Sequence, residues 1–294
     1  VVRRALEDSG YADGEFDREN TSVILGASGG LGDLGQQYAV RSEIPHFVEN
    51  ASSEVWDRLP EWTEESFPGA LLNVVAGRIS NRFNFGGSNF TIDAACASSL
   101  AAVKVAVDEL ESGRSNVAIA GGVDTVQNPF GFLCFSKTGA LSPKGVARTF
   151  DKNGDGIVIS EGLAVVVLKR LKDAERDGDR IYSVIKAVSS SSDGKALGLT
   201  APLPEGQMRA LRRAYKKAGF MPDTLGLIEA HGTGTVVGDN AEIQTVMRTL
   251  REHNTPAKSC VIGSVKTMIG HAKASAGVAG LIEVALSLHH KVLP

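Results

Sequence analysis

One thiol and two imidazoles stand in surroundings suited to chemistry on a carbonyl. Cys96 lies in the hexad Asp93-Ala94-Ala95-Cys96-Ala97-Ser98, where small neighbours leave the sulfur open to an approaching electrophile. His231 lies in Glu229-Ala230-His231-Gly232-Thr233-Gly234-Thr235, and His271 closes Lys266-Thr267-Met268-Ile269-Gly270-His271. A thiol can hold an acyl group as a thioester, and an imidazole can donate to an oxygen on which negative charge develops. Singly these residues say little, since a cysteine among alanines also serves as a small buried hydrophobe. Jointly they supply a nucleophile and two donors for chemistry on a carbonyl.

The elements needed to position them are legible. Residues 89–92 are β-prone, whereas Leu100, Val103, Val107 and Leu110 share one helical face that Gly113 terminates. Cys96 is therefore expected at a strand-to-helix junction, where the helix N-terminus favours thiolate. Further strands are predicted at residues 21–26, 117–121, 157–159, 164–168, 181–188, 225–229 and 261–264. Helices alternate with them at 100–112, 171–176, 205–218, 241–252 and 277–290. Residues 36–70, with Pro45, Pro60, Pro68 and both tryptophans, read as an irregular excursion that Trp56 and Trp62 pack.

The chain also repeats itself. Val2-Arg3-Arg4-Ala5 through Ser9-Gly10-Tyr11 matches Leu211-Arg212-Arg213-Ala214 through Ala218-Gly219-Phe220, and each copy leads into a strand. Residues 90–96 and the helix after them correspond to 261–271 and the helix at 278–288. Two duplicated α/β units are expected, with the turns carrying Cys96, His231 and His271 facing one another across a pseudo-twofold axis.

On these three motifs, in this order, the sequence resembles the β-ketoacyl synthase (ketosynthase) family, most closely the type I domains of polyketide or polyunsaturated fatty acid multienzymes. Ala76-Gly77-Arg78-Ile79-Ser80, Gly122-Val123-Asp124-Thr125, Leu141-Ser142-Pro143 and Glu161-Gly162 add to the resemblance. It implies a thiolase-like fold of two related α/β halves, layered α/β/α/β/α, at about residues 1–180 and 181–294. It also implies acyl transfer to Cys96 and decarboxylative Claisen condensation with a malonyl thioester. His231 and His271 would stabilise the enolate, Lys266 would orient and bias that site, and Thr233 and Thr235 would bind the phosphopantetheine arm. Acyl carrier protein, sister domains of a multienzyme and a second copy of the chain are the implied partners. No cofactor is implied beyond the phosphopantetheine-linked substrates. Some family members carry a carboxylate nine positions after the second histidine, where this chain has Gly280; Glu161 is the expected substitute. The family's C-terminal Gly-Phe-Gly-Gly turn and its opening strand are not in this sequence, so the resemblance implies a domain truncated at both ends. A non-catalytic ketosynthase-like interaction domain is the alternative from a different class.

Composition narrows the field further. With 43% hydrophobic and 22% charged residues, the chain has the material for a globular core. A net charge of -3 offers no basic excess for nucleic acid. Three cysteines without metal spacing suggest a reducing, cytoplasmic setting, and no apolar run is long enough to span a bilayer. Gly26-Ala27-Ser28-Gly29-Gly30-Leu31-Gly32 with Tyr182 and Lys186 mimics a short-chain dehydrogenase, but the alternation around Tyr182 predicts a strand, where the mimic needs a helix. Asp151-Lys152-Asn153-Gly154-Asp155-Gly156 starts like a calcium loop, yet Gly162 occupies the twelfth position, where a glutamate is required. Arg209, Arg212, Arg213, Lys216 and Lys217 form a cationic stripe, expected to be a solvated face and a possible dock for an acidic carrier.

Overall fold

Val23 and Leu25 pack on one face of the first strand and Ile24 on the other, because both faces of that strand are covered. The computed structural model describes residues 1–12, 14–28, 32–195, 198 and 201–294. In chain order its elements begin with α1 (Val2–Asp8), β1 (Thr21–Ala27), α2 (Asp33–Phe47), α3 (Ser53–Asp57), α4 (Ser66–Ala70) and α5 (Asn73–Phe83). Then come β2 (Asn89–Ile92), α6 (Ser98–Glu111), β3 (Val117–Asp124), α7 (Pro129–Lys137), β4 (Gly162–Lys169) and α8 (Leu171–Asp177). The last third holds α9 (Pro204–Ala218), β5 (Leu227–Glu229), α10 (Val236–Glu252), β6 (Val261–Gly263), α11 (Lys266–Ile269) and α12 (Ala276–His290).

The larger sheet has the order β2-β1-β3-β4; the first three strands are parallel and β4 runs antiparallel to β3. Its outer face carries Val23, Leu25, Val117 and Ile119 against α1 and α5. Its inner face carries Ile24, Ala118 and Ala120 against Ala102, Val103 and Ala106 of α6, where alanine on both sides lets helix and sheet approach closely. A second sheet pairs β5 with β6 in parallel. Helix α12 packs on α6, β4 and β5, so two helices lie between the sheets. Both repeats named from sequence correspond to matching elements: α1 into β1 and α9 into β5, then β2 into α6 and β6 into α12.

Two predicted strands are not formed. Residues 181–188 are extended and lend Ile185 and Val188 to the inner core, but no strand among the described residues pairs with them. Burial does not follow the alternation either, since Ile181 and Val184 are exposed while Ile185 and Val188, of opposite parity, both reach the core. Residues 157–159 make only isolated bridges, Leu141 to Ile157 and Ile159 to His271. The excursion is another correction, since residues 36–70 contain most of α2, all of α3 and all of α4, with Pro45 inside α2. Trp62 stacks on Tyr38, and the Arg41 guanidinium covers Trp56 while donating to the Trp56 and Leu59 carbonyls, so the tryptophans do pack this region.

The dehydrogenase mimic also resolves. A 15-residue helix does follow the glycine-rich turn, contrary to expectation, but none of its residues is buried against the sheet. Tyr182 and Lys186 lie on no helix. Gly29, Gly30 and Leu31 lie outside the described residues. The calcium-like segment is a turn in which Asp151 accepts from the Asn153 amide and Asp155 accepts from Ser142.

Candidate active site

The turn that carries Cys96 is braced by its own hexad. The Asp93 carboxylate accepts from the Ala95 amide at 2.9 Å, and the buried Ser98 hydroxyl accepts from Ala94 and donates to the Ala95 carbonyl. Ala95 has φ +49°, a left-handed conformation that a Cβ disfavours. Cys96 then sits in a single 3-10 turn, Ala95–Ala97, directly before α6. Gly26 at the end of β1 makes this position accessible: a Cβ there would stand 2.4 Å from the Ser98 and Ser99 backbone. Gly122 of β3 serves both helices, lying against Ser99 and against the backbone of Ala274 and Ser275.

Parallel pairing of β5 with β6 sends the chain into the site twice at the same sheet edge. His231 follows β5 and His271 follows β6, and their rings meet edge to face with centroids 5.4 Å apart. The Cys96 turn packs against the 3-10 turn Lys273–Ser275 that follows His271, so the turn carrying the thiol meets the segment carrying one imidazole. The Ser99 hydroxyl accepts from the Val278 amide at 3.0 Å, tying the starts of α6 and α12 to each other.

His271 is buried and closely defined. Its backbone is clamped by Val158 and Ser160, and its Nδ1 accepts from the Lys273 amide at 2.9 Å. The ring proton must therefore reside on Nε2, which is buried and has no hydrogen-bond partner among the described residues. Burial lowers the His271 pKa to about 3, helped by His231 and by the Lys266 and Lys273 charges. His231 is exposed, yet the protein around it withdraws enough solvation to lower its pKa to about 4, with Lys266 adding to the effect. Both imidazoles are neutral donors near pH 7.

Lys266 is buried at 5% exposure and its pKa is lowered by desolvation, while Glu229, Glu242 and Cys96 pull it back up. Burial pushes the Cys96 thiol up, and the Lys266 charge opposes this. The expected preference for thiolate is thus outweighed: desolvation of the sulfur dominates, and the resting group is a thiol. Thr235 caps α10 by accepting from the Gly238 amide, and its hydroxyl lies 2.9 Å from that of Thr233.

Two carboxylates escaped the sequence reading. Glu242 of α10 accepts from the His231 amide at 2.6 Å and the Gly232 amide at 2.8 Å, and Asp239, three residues earlier, accepts from Gly234 and Phe150. Their spacing of three on a helix beside a glycine-rich loop was the available signal. Glu161 is exposed and is not the substitute for the missing carboxylate. That place belongs to Glu229, whose Oε1 accepts from the Val265 amide and whose side chain fills the space beside Gly280, within 2.9 Å of where a Cβ would stand. Burial and then the Glu283 carboxylate raise the Glu229 pKa to about 7.

The cationic stripe is mostly consumed within the chain. Arg209 and Arg213 donate to the Ser192 and Ser190 carbonyls, Arg212 pairs with Glu252, and Lys217 pairs with Glu111. A cavity of about 570 Å³ between α1, β4, α12 and residues 179–185 contains neither Cys96 nor the two histidines.

The family model for the β-ketoacyl synthase N-terminal domain matches residues 1–174, and the one for the C-terminal domain matches residues 182–294. A polyunsaturated fatty acid synthase polypeptide of Thraustochytrium sp. is 41% identical over all of this chain, which spans 11% of that protein. Among solved structures, the ketosynthase from module 6 of the bacillaene synthase of Bacillus subtilis superposes with a TM-score of 0.82 at 33% identity, covering 98% of this chain and 46% of the other. The oxazolomycin ketosynthase domain OzmH KS7 of Streptomyces albus gives 0.81 at 35% identity, covering 97% and 48%. The chain therefore spans just under half the length of the solved domains it matches.

Proposed function

Because this chain belongs to the β-ketoacyl synthase family, with a thiolase-like fold, we propose that it condenses an acyl group with a malonyl unit, both carried as phosphopantetheine thioesters. The observation that carries this reading is the pair of neutral imidazoles near a thiol-bearing turn, one with a buried Nε2–H that no acceptor among the described residues satisfies.

The Cys96 sulfur attacks the thioester carbonyl of the incoming acyl group, and the thiol proton leaves with the departing carrier thiolate. The malonyl thioester then loses carbon dioxide, and the electrons of the broken C–C bond become an enolate. His231 and His271 donate to the enolate oxygen, an arrangement that stabilises charge only as it develops. The enolate carbon attacks the Cys96-bound acyl carbonyl and expels the Cys96 thiolate, completing the new C–C bond. Every step runs on side-chain and thioester chemistry.

Lys266 supplies positive charge that favours the Cys96 thiolate and keeps both imidazoles unprotonated. Thr233 and Thr235 bind the phosphopantetheine arm; their hydroxyls lie 2.9 Å apart, and the Thr235 amide donates to the Thr233 oxygen. An acyl carrier protein delivers the substrates within a multienzyme. A homodimer is supported by β2, which lies at the edge of its sheet, and by α7, which exposes Phe130 and Leu133. A cytoplasmic setting is supported by three free cysteines, and among the described residues no helix is long and apolar enough to cross a membrane.

The test uses the full-length polypeptide that carries this chain. Acyl carrier thioester should add one acyl mass to Cys96, and malonyl carrier should then release carbon dioxide and yield a β-ketoacyl product. Absence of both events would identify a non-catalytic interaction domain.

A further inference from the structure

An ion pair joins the two halves of the chain immediately behind His271. The Lys273 Nζ lies 3.0 Å from Asp124 Oδ1, with the two side chains 14% and 2% exposed. Asp124 ends β3, and Lys273 opens the 3-10 turn two residues after His271. The other Asp124 oxygen accepts from the Ala274 amide at 3.4 Å, and Lys273 Nζ also donates to the Ser160 carbonyl at 3.0 Å. A buried pair of this kind resists loss of either partner, since the survivor becomes an unpaired charge.

The anchor matters because Lys273 holds an unusual backbone. Its φ is +46°, a left-handed conformation that side chains other than glycine seldom adopt and that surrounding structure must enforce. In that conformation its N–H turns back to the His271 Nδ1 at 2.9 Å, and among the described residues no other group hydrogen-bonds the ring. With Nδ1 accepting, the proton is confined to Nε2. The charged and titratable groups acting on the ring are His231, Lys266 and Lys273, and Asp124 pairs with Lys273.

We propose that Asp124 and Lys273 are positioning residues that hold the His271 imidazole in its Nε2–H tautomer, aimed at the enolate oxygen. This rests on the proposed condensation. Neither residue touches substrate. Asp124 fixes the turn from the N-terminal half, and Lys273 converts that fixation into one hydrogen bond to the ring. A lost or reversed tautomer would cost the enolate a donor while leaving thiol chemistry at Cys96 less affected.

The experiment compares wild type with Lys273→Met, Lys273→Arg, Asp124→Asn and the Lys273→Met/Asp124→Asn double variant in the full-length polypeptide. Acyl loading of Cys96 is read by mass spectrometry, and carbon dioxide release from malonyl carrier is read per loaded enzyme. Release per loaded enzyme should fall about 10- to 100-fold in Lys273→Met and Asp124→Asn, the scale seen when an orienting partner or an oxyanion donor is lost. Lys273→Arg should recover part of it. Removing the cation in Lys273→Met should move the acid side of the release profile to higher pH, whereas Asp124→Asn should move it lower. If the single variants do not fold, the double variant leaves no unpaired buried charge and is the one to measure. Equal losses of loading and release, or a folded double variant that releases carbon dioxide like wild type, overturns the inference. Wild-type protein that neither loads nor decarboxylates overturns the proposed condensation itself.

Discussion

The planes of the His231 and His271 rings stand at 86° to each other with their centroids 5.4 Å apart, although the residues leave different strands. Register explains the meeting. Glu229 pairs with Gly263 in the parallel β5–β6 ladder, so both following loops emerge at one sheet edge. The meeting of the two imidazoles follows from that pairing.

Cys96→Ala should abolish acyl transfer. No acyl mass should appear on the protein after incubation with acyl carrier thioester, while circular dichroism and thermal midpoint stay close to wild type, because the substitution removes one partly exposed sulfur. Acylation that persists would move the nucleophile elsewhere.

Carbon dioxide release should show no acid-side fall centred near 6.5, the ordinary histidine value, because both imidazoles stay neutral until pH approaches about 4 and about 3. Stability should behave differently. Between 6.5 and those lowered values the unfolded chain binds more protons than the folded one, so these two histidines make folding less favourable as pH falls. Glu229, raised to about 7, works in the opposite direction between about 7 and 4.5, and Glu242, whose pKa burial also raises, works with it. Removing both imidazoles removes the part that opposes folding in acid, so the urea midpoint of a His231→Gln/His271→Gln variant should rise relative to wild type as pH falls from 7 to 4.5.

Glu242→Ala should loosen the His231 loop. Two amides, those of His231 and Gly232, would lose their acceptor, a loss of about 1–3 kcal/mol for a partly buried carboxylate. Thermal unfolding should register the loss, and decarboxylation should fall by more than acyl loading, since Cys96 has no hydrogen bond to this loop. An unchanged ratio of the two activities would limit Glu242 to stability.

Gly26→Ala should destabilise the fold by about 1–3 kcal/mol or more, the range for overpacking. Its Cβ would collide with backbone at Ser98 and Ser99, which no side-chain rotation can relieve. Because that backbone carries Cys96 into α6, acyl loading should fall as well. Denaturant titration and loading assays check both.

The sequence by itself determined the candidate residues and the alternation of elements. Cys96, His231, His271 and Lys266 could be named because each lies in a local motif whose small residues or glycines mark a site. Helices such as α6, α9 and α12 could be named because the 3.6-residue period of apolar positions is a local property. Only the tertiary structure decided what depends on neighbours distant along the chain. Residues 181–188 have a strand's pattern, but strand formation requires a partner. Cys96 sits by a helix start, but the desolvation that raises its pKa comes from packing around it. Glu229 could not be assigned the space beside Gly280, nor Glu242 the His231 loop, nor Lys273 the Asp124 carboxylate, until folding brought them together. Hydrogen bonds, burial and charge act through space over a few ångströms, and sequence separation carries no record of which residues will share those ångströms.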